Sequence, residues 1–160
     1  MSALVKLAED IAREAGRMLV AEREGGTEVL ATKSSPTDVV TALDRAAEEL
    51  IRARIREARP GDAILGEEGG ATGAGRVRWV VDPIDGTVNF LYGLPDWAVS
   101  IAVEEDGEIT AGAVYVPMRD EMYTAVRGAG ATLHRPGRPA VRLRCTTGVP
   151  LAQALVATGF

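Results

Sequence analysis

The stretch from Ala98 to Val116, AVSIAVEEDGEITAGAVYV, decides the fold. It holds two apolar runs, Ala98 to Val103 and Ile109 to Val116, split by Asp106-Gly107, a dipeptide that suits the tight turn of an antiparallel hairpin. Ala63 to Gly66 and Val77 to Val81 upstream, and Met122 to Val126 and Ala140 to Leu143 downstream, are further short apolar runs that read as strands. Pro117 to Asp120 and Gly128 to Gly130 supply the turn residues between them.

Before Gly61 the period is helical. Leu4, Leu7, Ala8, Ile11, Ala15, Met18 and Leu19 recur at spacings of three and four, which predicts an amphipathic helix from Ala3 to Arg23, stopped by Gly25-Gly26. A second helix is expected from about Ala42 to Ala58, with Leu43, Ala47, Leu50 and Ile51 inward, Thr41 as N-cap and Arg59-Pro60-Gly61 as its end. Thr27 to Thr41 reads as mostly extended or loop. Two helices followed by a meander give an α+β fold, with two helices packed on a largely antiparallel sheet.

The chain has 160 residues, of which 46% are hydrophobic and 26% charged, values of an ordinary globular domain. One domain is the expectation from length. The net charge of −5 argues against nucleic acid as a partner. The one basic stretch, Arg127 to Arg144, has no interleaved aromatic residue and reads as a solvated loop, with His134 in a turn. A single histidine makes a Ser-His-Asp hydrolase a poor reading. No apolar run approaches the roughly 20 residues of a membrane helix and no signal-peptide pattern opens the chain, so no membrane partner and a cytoplasmic location are expected. Cys145 stands alone and reads as a small buried hydrophobe.

The chemistry-bearing residues are acidic. Gly66-Glu67-Glu68-Gly69 and Asp82-Pro83-Ile84-Asp85-Gly86-Thr87 each follow a hydrophobic run, so their carboxylates should emerge together from the sheet. Four acids in one place repel one another unless a cation neutralises them. With no His or Cys beside them, the suitable ion is a hard, oxygen-binding one such as Mg²⁺. Taken singly, each segment also reads as a plain turn or solvated loop. A third acidic segment runs from Lys33 through Thr37-Asp38 to Asp44. There Asp44 reads either as a capping-box acid three residues after Thr41 or as a member of the acidic group. Lys33, one of only two lysines, is either a surface residue or a point charge near bound anions.

Together, Lys33 with Thr37-Asp38-x-Val-Thr-x-x-Asp44, then Gly66-Glu67-Glu68, then Asp82-Pro83-Ile84-Asp85-Gly86-Thr87-x-Asn89-Phe90, resemble the inositol monophosphatase family in order and spacing. Phe90 to Pro95 and Leu155 to Phe160 resemble its bacterial members. Haloacid-dehalogenase-type phosphatases also carry an Asp…Asp-Gly-Thr string, but with one residue between the acids. Here Pro83 and Ile84 intervene, which favours metal ligation over a phosphoaspartate.

The resemblance implies a Mg²⁺-dependent, Li⁺-inhibited phosphatase of small polyol or sugar monophosphates, commonly a homodimer. It implies that Glu67, Asp82 and the carbonyl of Ile84 hold one ion, that Asp82 and Asp85 share a second, and that a third lies near Glu67 and Glu68. Glu67 and Thr87, with Asp44 behind the threonine, are the implied catalytic residues. Asp85, the backbone N–H groups of Gly86 and Thr87, and Lys33 are implied to meet the phosphate or substrate.

Family members are longer. The implied fold of residues 1–160 is the N-terminal half of the sugar-phosphatase layered α/β sandwich, cut before the C-terminal α/β half and its Trp-Asp-x-x-Ala-Gly motif. Weak or no catalysis and an exposed sheet surface are expected of such a portion. The alternative is a truncated, non-catalytic module that binds metal and phosphate or regulates a partner.

Overall fold

The structure, a computed structural model, describes residues 3–25 and 36–156 and, of residues 24–25 and 36–41, the backbone alone. Helix α1 spans Ala3–Gly25 and α2 spans Pro36–Ala58. The strands are β1 (Ala63–Gly66), β2 (Gly70–Thr72), β3 (Val77–Asp85), β4 (Ala98–Glu105), β5 (Glu108–Val116), β6 (Glu121–Val126), β7 (Gly130–His134) and β8 (Val141–Leu143). A five-residue helix, α3 (Thr87–Leu91), follows β3. The strands form one sheet in the order β2-β1-β3-β4-β5-β6-β7-β8, antiparallel throughout except for β1 on β3. This is the expected α+β arrangement. Asp106 and Gly107 join β4 to β5 with positive φ at both residues (53° and 86°), as a type I′ hairpin requires.

Helix α1 packs on β4, β5, β6 and α2, and α2 packs on β3. On α1 the fully buried residues are Val5, Ala8, Ile11, Ala12, Ala15 and Leu19, while Leu4, Leu7 and Met18 are only partly covered. Three alanines in that seam let the helix sit close to the sheet. Opposite them stand Val99, Ile101 and Val103 of β4 and Ala111, Ala113 and Tyr115 of β5, alternating as the pleat demands. On α2 the buried apolar residues are Ala47, Ile51 and Ile55, with Leu43 and Leu50 at their flank.

Four expectations need correction. The second helix begins at Pro36, not near Ala42, so Thr41 is not its N-cap and Asp44 lies two turns inside it rather than in a capping box. Proline suits the first turn, where its missing N–H has no helical partner. The rest of the expected loop before Thr41, residues 27–35 with Lys33, lies outside the described residues. The basic stretch is not a loop throughout: beside the expected strand at Ala140 to Leu143, seen as β8, it contains β7, which His134 ends. Strand β2 was not expected at all: its three exposed residues have no apolar pattern and are ordered by pairing with β1. Cys145 is exposed, not buried.

Candidate functional site

The parallel pairing of β1 on β3 sets Gly66 opposite Val81. The next residue on each strand is therefore an acid, Glu67 on one and Asp82 on the other, and the two come out of the sheet side by side. Asp82 still pairs with Ser100 of β4, whereas the register slips before Asp85 pairs with Ala98. That irregularity coincides with Pro83, which has no N–H for the ladder. Ile84 is buried beneath it, and Asp85 is exposed.

Gly86 has φ 91° and ψ 41° and leads into α3. A side chain is disfavoured there by the left-handed backbone, and its Cβ would come within 3.1 Å of the Asp96 carbonyl oxygen. The Thr87 hydroxyl donates to the Ile84 carbonyl at 3.0 Å, closing the loop on itself. The single hydroxyl proton of Thr87 thus points at the Ile84 carbonyl oxygen in this arrangement, with the hydroxyl oxygen's lone pairs left to accept. A recess of about 430 Å³ opens beside Asp85 and Gly86, lined also by Asn89, Asp96, Trp97 and Arg119.

Asp44 reaches this region from α2. It is 4% exposed, and burial together with the charges of Glu68, Glu67, Asp82 and Glu48 pushes its carboxyl up to about 7. Asp82 is raised to about 6 by burial, by the charges of Glu67 and Asp85, and by a hydrogen-bonding contact with Glu67. Oδ1 of Asp44 and Oδ1 of Asp82 are both buried without a hydrogen-bond partner. Buried carboxylate oxygens are normally satisfied, so this pair lacks a positive partner. An oxygen-only donor set of this kind fits a hard divalent cation. The acids are not, however, gathered around one point: among the described residues no group of three or more Asp, Glu, His or Cys side chains forms a metal cluster.

Two site-supporting residues escaped the sequence reading. Glu48 and Arg52 are buried beside the acidic turn, and Glu48 accepts hydrogen bonds from the backbone N–H groups of Glu68 and Gly69. The signal was present in the sequence as Asp44, Glu48 and Arg52, three charged residues at intervals of four along one helix.

The inositol monophosphatase family matches residues 1–160. An inositol-1-monophosphatase SuhB of Mycobacterium tuberculosis is 44% identical over 173 residues, covering 98% of this chain and 59% of the relative. A protein of Pasteurella multocida called Nus factor SuhB is 39% identical over 162 residues, covering 100% of this chain and 59% of the relative. The solved structure of Mycobacterium tuberculosis SuhB superposes with a TM-score of 0.75 at 44% identity, covering 89% of this chain and 51% of that one. The chain therefore spans 59% of the length of these two sequence relatives.

Proposed function

The chain belongs to the inositol monophosphatase family, and from that premise we propose that its acidic layer at the ends of β1 and β3 binds Mg²⁺ and takes part in hydrolysing phosphate monoesters of small polyols or sugars. The observation that carries this reading is the side-by-side exit of Glu67 and Asp82, with buried carboxylate oxygens on Asp82 and Asp44 that no donor satisfies. Residues 1–160 are read as the N-terminal portion of a family domain.

Glu67, Asp82 and the Ile84 carbonyl would hold one ion, Asp82 and Asp85 a second, and Glu67 with Glu68 a third. When bound, the ions supply Lewis acidity that neutralises phosphoryl charge and favours deprotonation of a nucleophilic water. Thr87, whose proton is donated to Ile84, accepts a hydrogen bond from that water and orients it. Glu67 receives the water's proton directly, and Asp44 is the acceptor behind Thr87 when its hydroxyl turns away from Ile84. Asp85 and the backbone of Gly86 and Thr87 border the recess that would take the substrate, whose volume suits a small phosphorylated ligand. Lys33 is retained as a candidate charge for the phosphate. A homodimer and Li⁺ inhibition complete the proposal.

The test is phosphate release from inositol 1-phosphate against Mg²⁺ concentration, with the chain beside its Asp85→Asn variant. Mg²⁺-dependent release that falls by about 100-fold or more in the variant supports the reading. Release that is equal in both at saturating Mg²⁺ sinks the role of Asp85. A second reading, a non-catalytic metal- or partner-binding module, is favoured by the dispersed acids and by the Nus factor name of the Pasteurella relative. Mg²⁺ binding by calorimetry without any release would mean that this chain is either such a module or an incomplete enzyme, and would deny it phosphatase activity on its own.

A further inference from the structure

Glu48 and Arg52, at 2% and 6% exposure, are an ion pair sunk between α2 and the β1–β2 hairpin. Arg52 Nε donates to Glu48 Oε1 at 2.7 Å. The same carboxylate accepts from the N–H of Glu68 at Oε2 and from the N–H of Gly69 at Oε1, both at 2.8 Å. The remaining guanidinium nitrogens of Arg52 reach across to β2, Nη2 to the Gly70 carbonyl at 2.5 Å and Nη1 to the Thr72 hydroxyl at 3.0 Å. Every residue from Glu68 to Gly70, and Thr72 after them, is thereby tied to one helix.

The backbone is shaped around this pair. A Cβ on Gly66 would stand 2.3 Å from Glu48 Oε1, and one on Gly69 would stand 2.7 Å from it. The glycines that bracket Glu67-Glu68 leave the room that Glu48 fills. Burying two charges is costly unless each is fully hydrogen-bonded, and an apolar pair would close the same hairpin at least as well. What the ionic pair adds is direction, because charge-assisted bonds to two successive N–H groups hold the turn in one conformation.

We propose that Glu48, oriented by Arg52, is a positioning residue that fixes the Glu67-Glu68 turn against Asp82 and so sets the affinity of the site for divalent cations. The proposal rests on the reading of Glu67 as a cation ligand. Glu48 itself is not a ligand, since its oxygens are occupied by three donors.

The experiment measures Mg²⁺ affinity by calorimetry and amide hydrogen exchange at Glu68 and Gly69, on the chain and on Glu67→Gln, Glu48→Gln, Arg52→Lys and Ile55→Val. Ile55→Val removes one buried methylene from the same helix without touching the polar bonds to the turn, and controls for lost stability. Loss of binding in Glu67→Gln, binding weakened by about 10- to 100-fold in Glu48→Gln and faster exchange at both amides support the proposal. Should Glu48→Gln fail to fold, Arg52→Lys is decisive, with weakened binding and faster exchange expected from loss of the planar fork. Glu67→Gln that loses binding while Glu48→Gln or Arg52→Lys matches Ile55→Val overturns the positioning role and leaves the ligand reading standing. A chain that takes up no Mg²⁺, or a Glu67→Gln variant that binds as before, overturns both.

Discussion

Asp44 and Glu48 stand one turn apart on α2, both buried, and their carboxyls are driven in opposite directions. Burial and the charges of Glu68, Glu67, Asp82 and Glu48 push Asp44 up to about 7. Burial acts the same way on Glu48. It is outweighed there by hydrogen bonds from the Glu68 N–H, Arg52 and the Gly69 N–H, which hold Glu48 below its ordinary value. One acid is supplied with donors by the fold, and the next is left to a proton or a cation.

The raised Asp44 value makes the metal-free chain sensitive to pH. An unfolded aspartate titrates near 3.9, so the folded state takes up the proton first. The contribution of Asp44 is fully present below the unfolded value and is lost as pH rises through about 7. Asp44→Asn should therefore unfold like the parent chain at pH about 4 but be more stable at pH about 8, by roughly 2 to 4 kcal/mol. Urea unfolding in the presence of a chelator at the two pH values checks this. An equal difference at both would remove the electrostatic account.

Mg²⁺ should relieve the same repulsion. A ligand at about 100 times its Kd stabilises by roughly 2.7 kcal/mol, which for a chain of this size raises Tm by about 5 to 10 °C. The rise should be larger at pH 8 than at pH 5, where protons compete for Asp82 and Asp44. It should shrink in Asp82→Asn, which loses an oxygen that the fold leaves unsatisfied. Thermal scans with Mg²⁺ and with a monovalent salt of equal ionic strength separate binding from screening.

Much of this was legible from residue patterns, and what was not has identifiable causes. The hairpin at Asp106-Gly107 and the acids after two apolar runs are local signals, and β4, β5, Glu67 and Asp82 follow from them. The start of α2 was obscured because Thr37, Val39, Val40 and Thr41 are β-branched, a weak preference that the long helix overrides. Strands β2 and β7 depend on pairing with their neighbours rather than on their own composition, whereas β8 falls within the apolar run Ala140 to Leu143. Glu48 and Arg52 were marked by spacing alone, four apart on one helix, and only the path of the chain after β1 brings the hairpin over them. The exit of Glu67 and Asp82 on neighbouring strands was readable, whereas the bonds that hold the Glu67-Glu68 turn are tertiary.

Gly86 links backbone geometry to the recess. Its left-handed φ of 91° is costly for any residue with a Cβ, by roughly 1 to 2 kcal/mol, and the added carbon would meet the Asp96 carbonyl oxygen at 3.1 Å. Gly86→Ala should lower stability by about that amount and displace Asp85 from the recess, weakening substrate binding more than it weakens Mg²⁺ binding to Glu67 and Asp82. Parallel titrations with Mg²⁺ and with inositol 1-phosphate measure the two effects. Equal loss in both would place the damage in the whole loop rather than at the recess.

Gly66 and Gly61 offer a matched comparison at the two ends of the segment that carries β1. Neither lies in the left-handed region, and a Cβ at Gly61 meets nothing within 4 Å, whereas one at Gly66 would overlap the Glu48 carboxylate at 2.3 Å. Gly61→Ala should be close to neutral. Gly66→Ala must push Glu48 off the amides of Glu68 and Gly69 and leave Arg52 with part of its partners lost, a break in a buried pair that costs about 3 to 5 kcal/mol. Its urea midpoint should fall accordingly. Adding Glu48→Ala to Gly66→Ala should cost much less than Glu48→Ala alone, because the first change has already dislodged the carboxylate. Additive losses in that double-mutant cycle would show that Gly66 and Glu48 act independently.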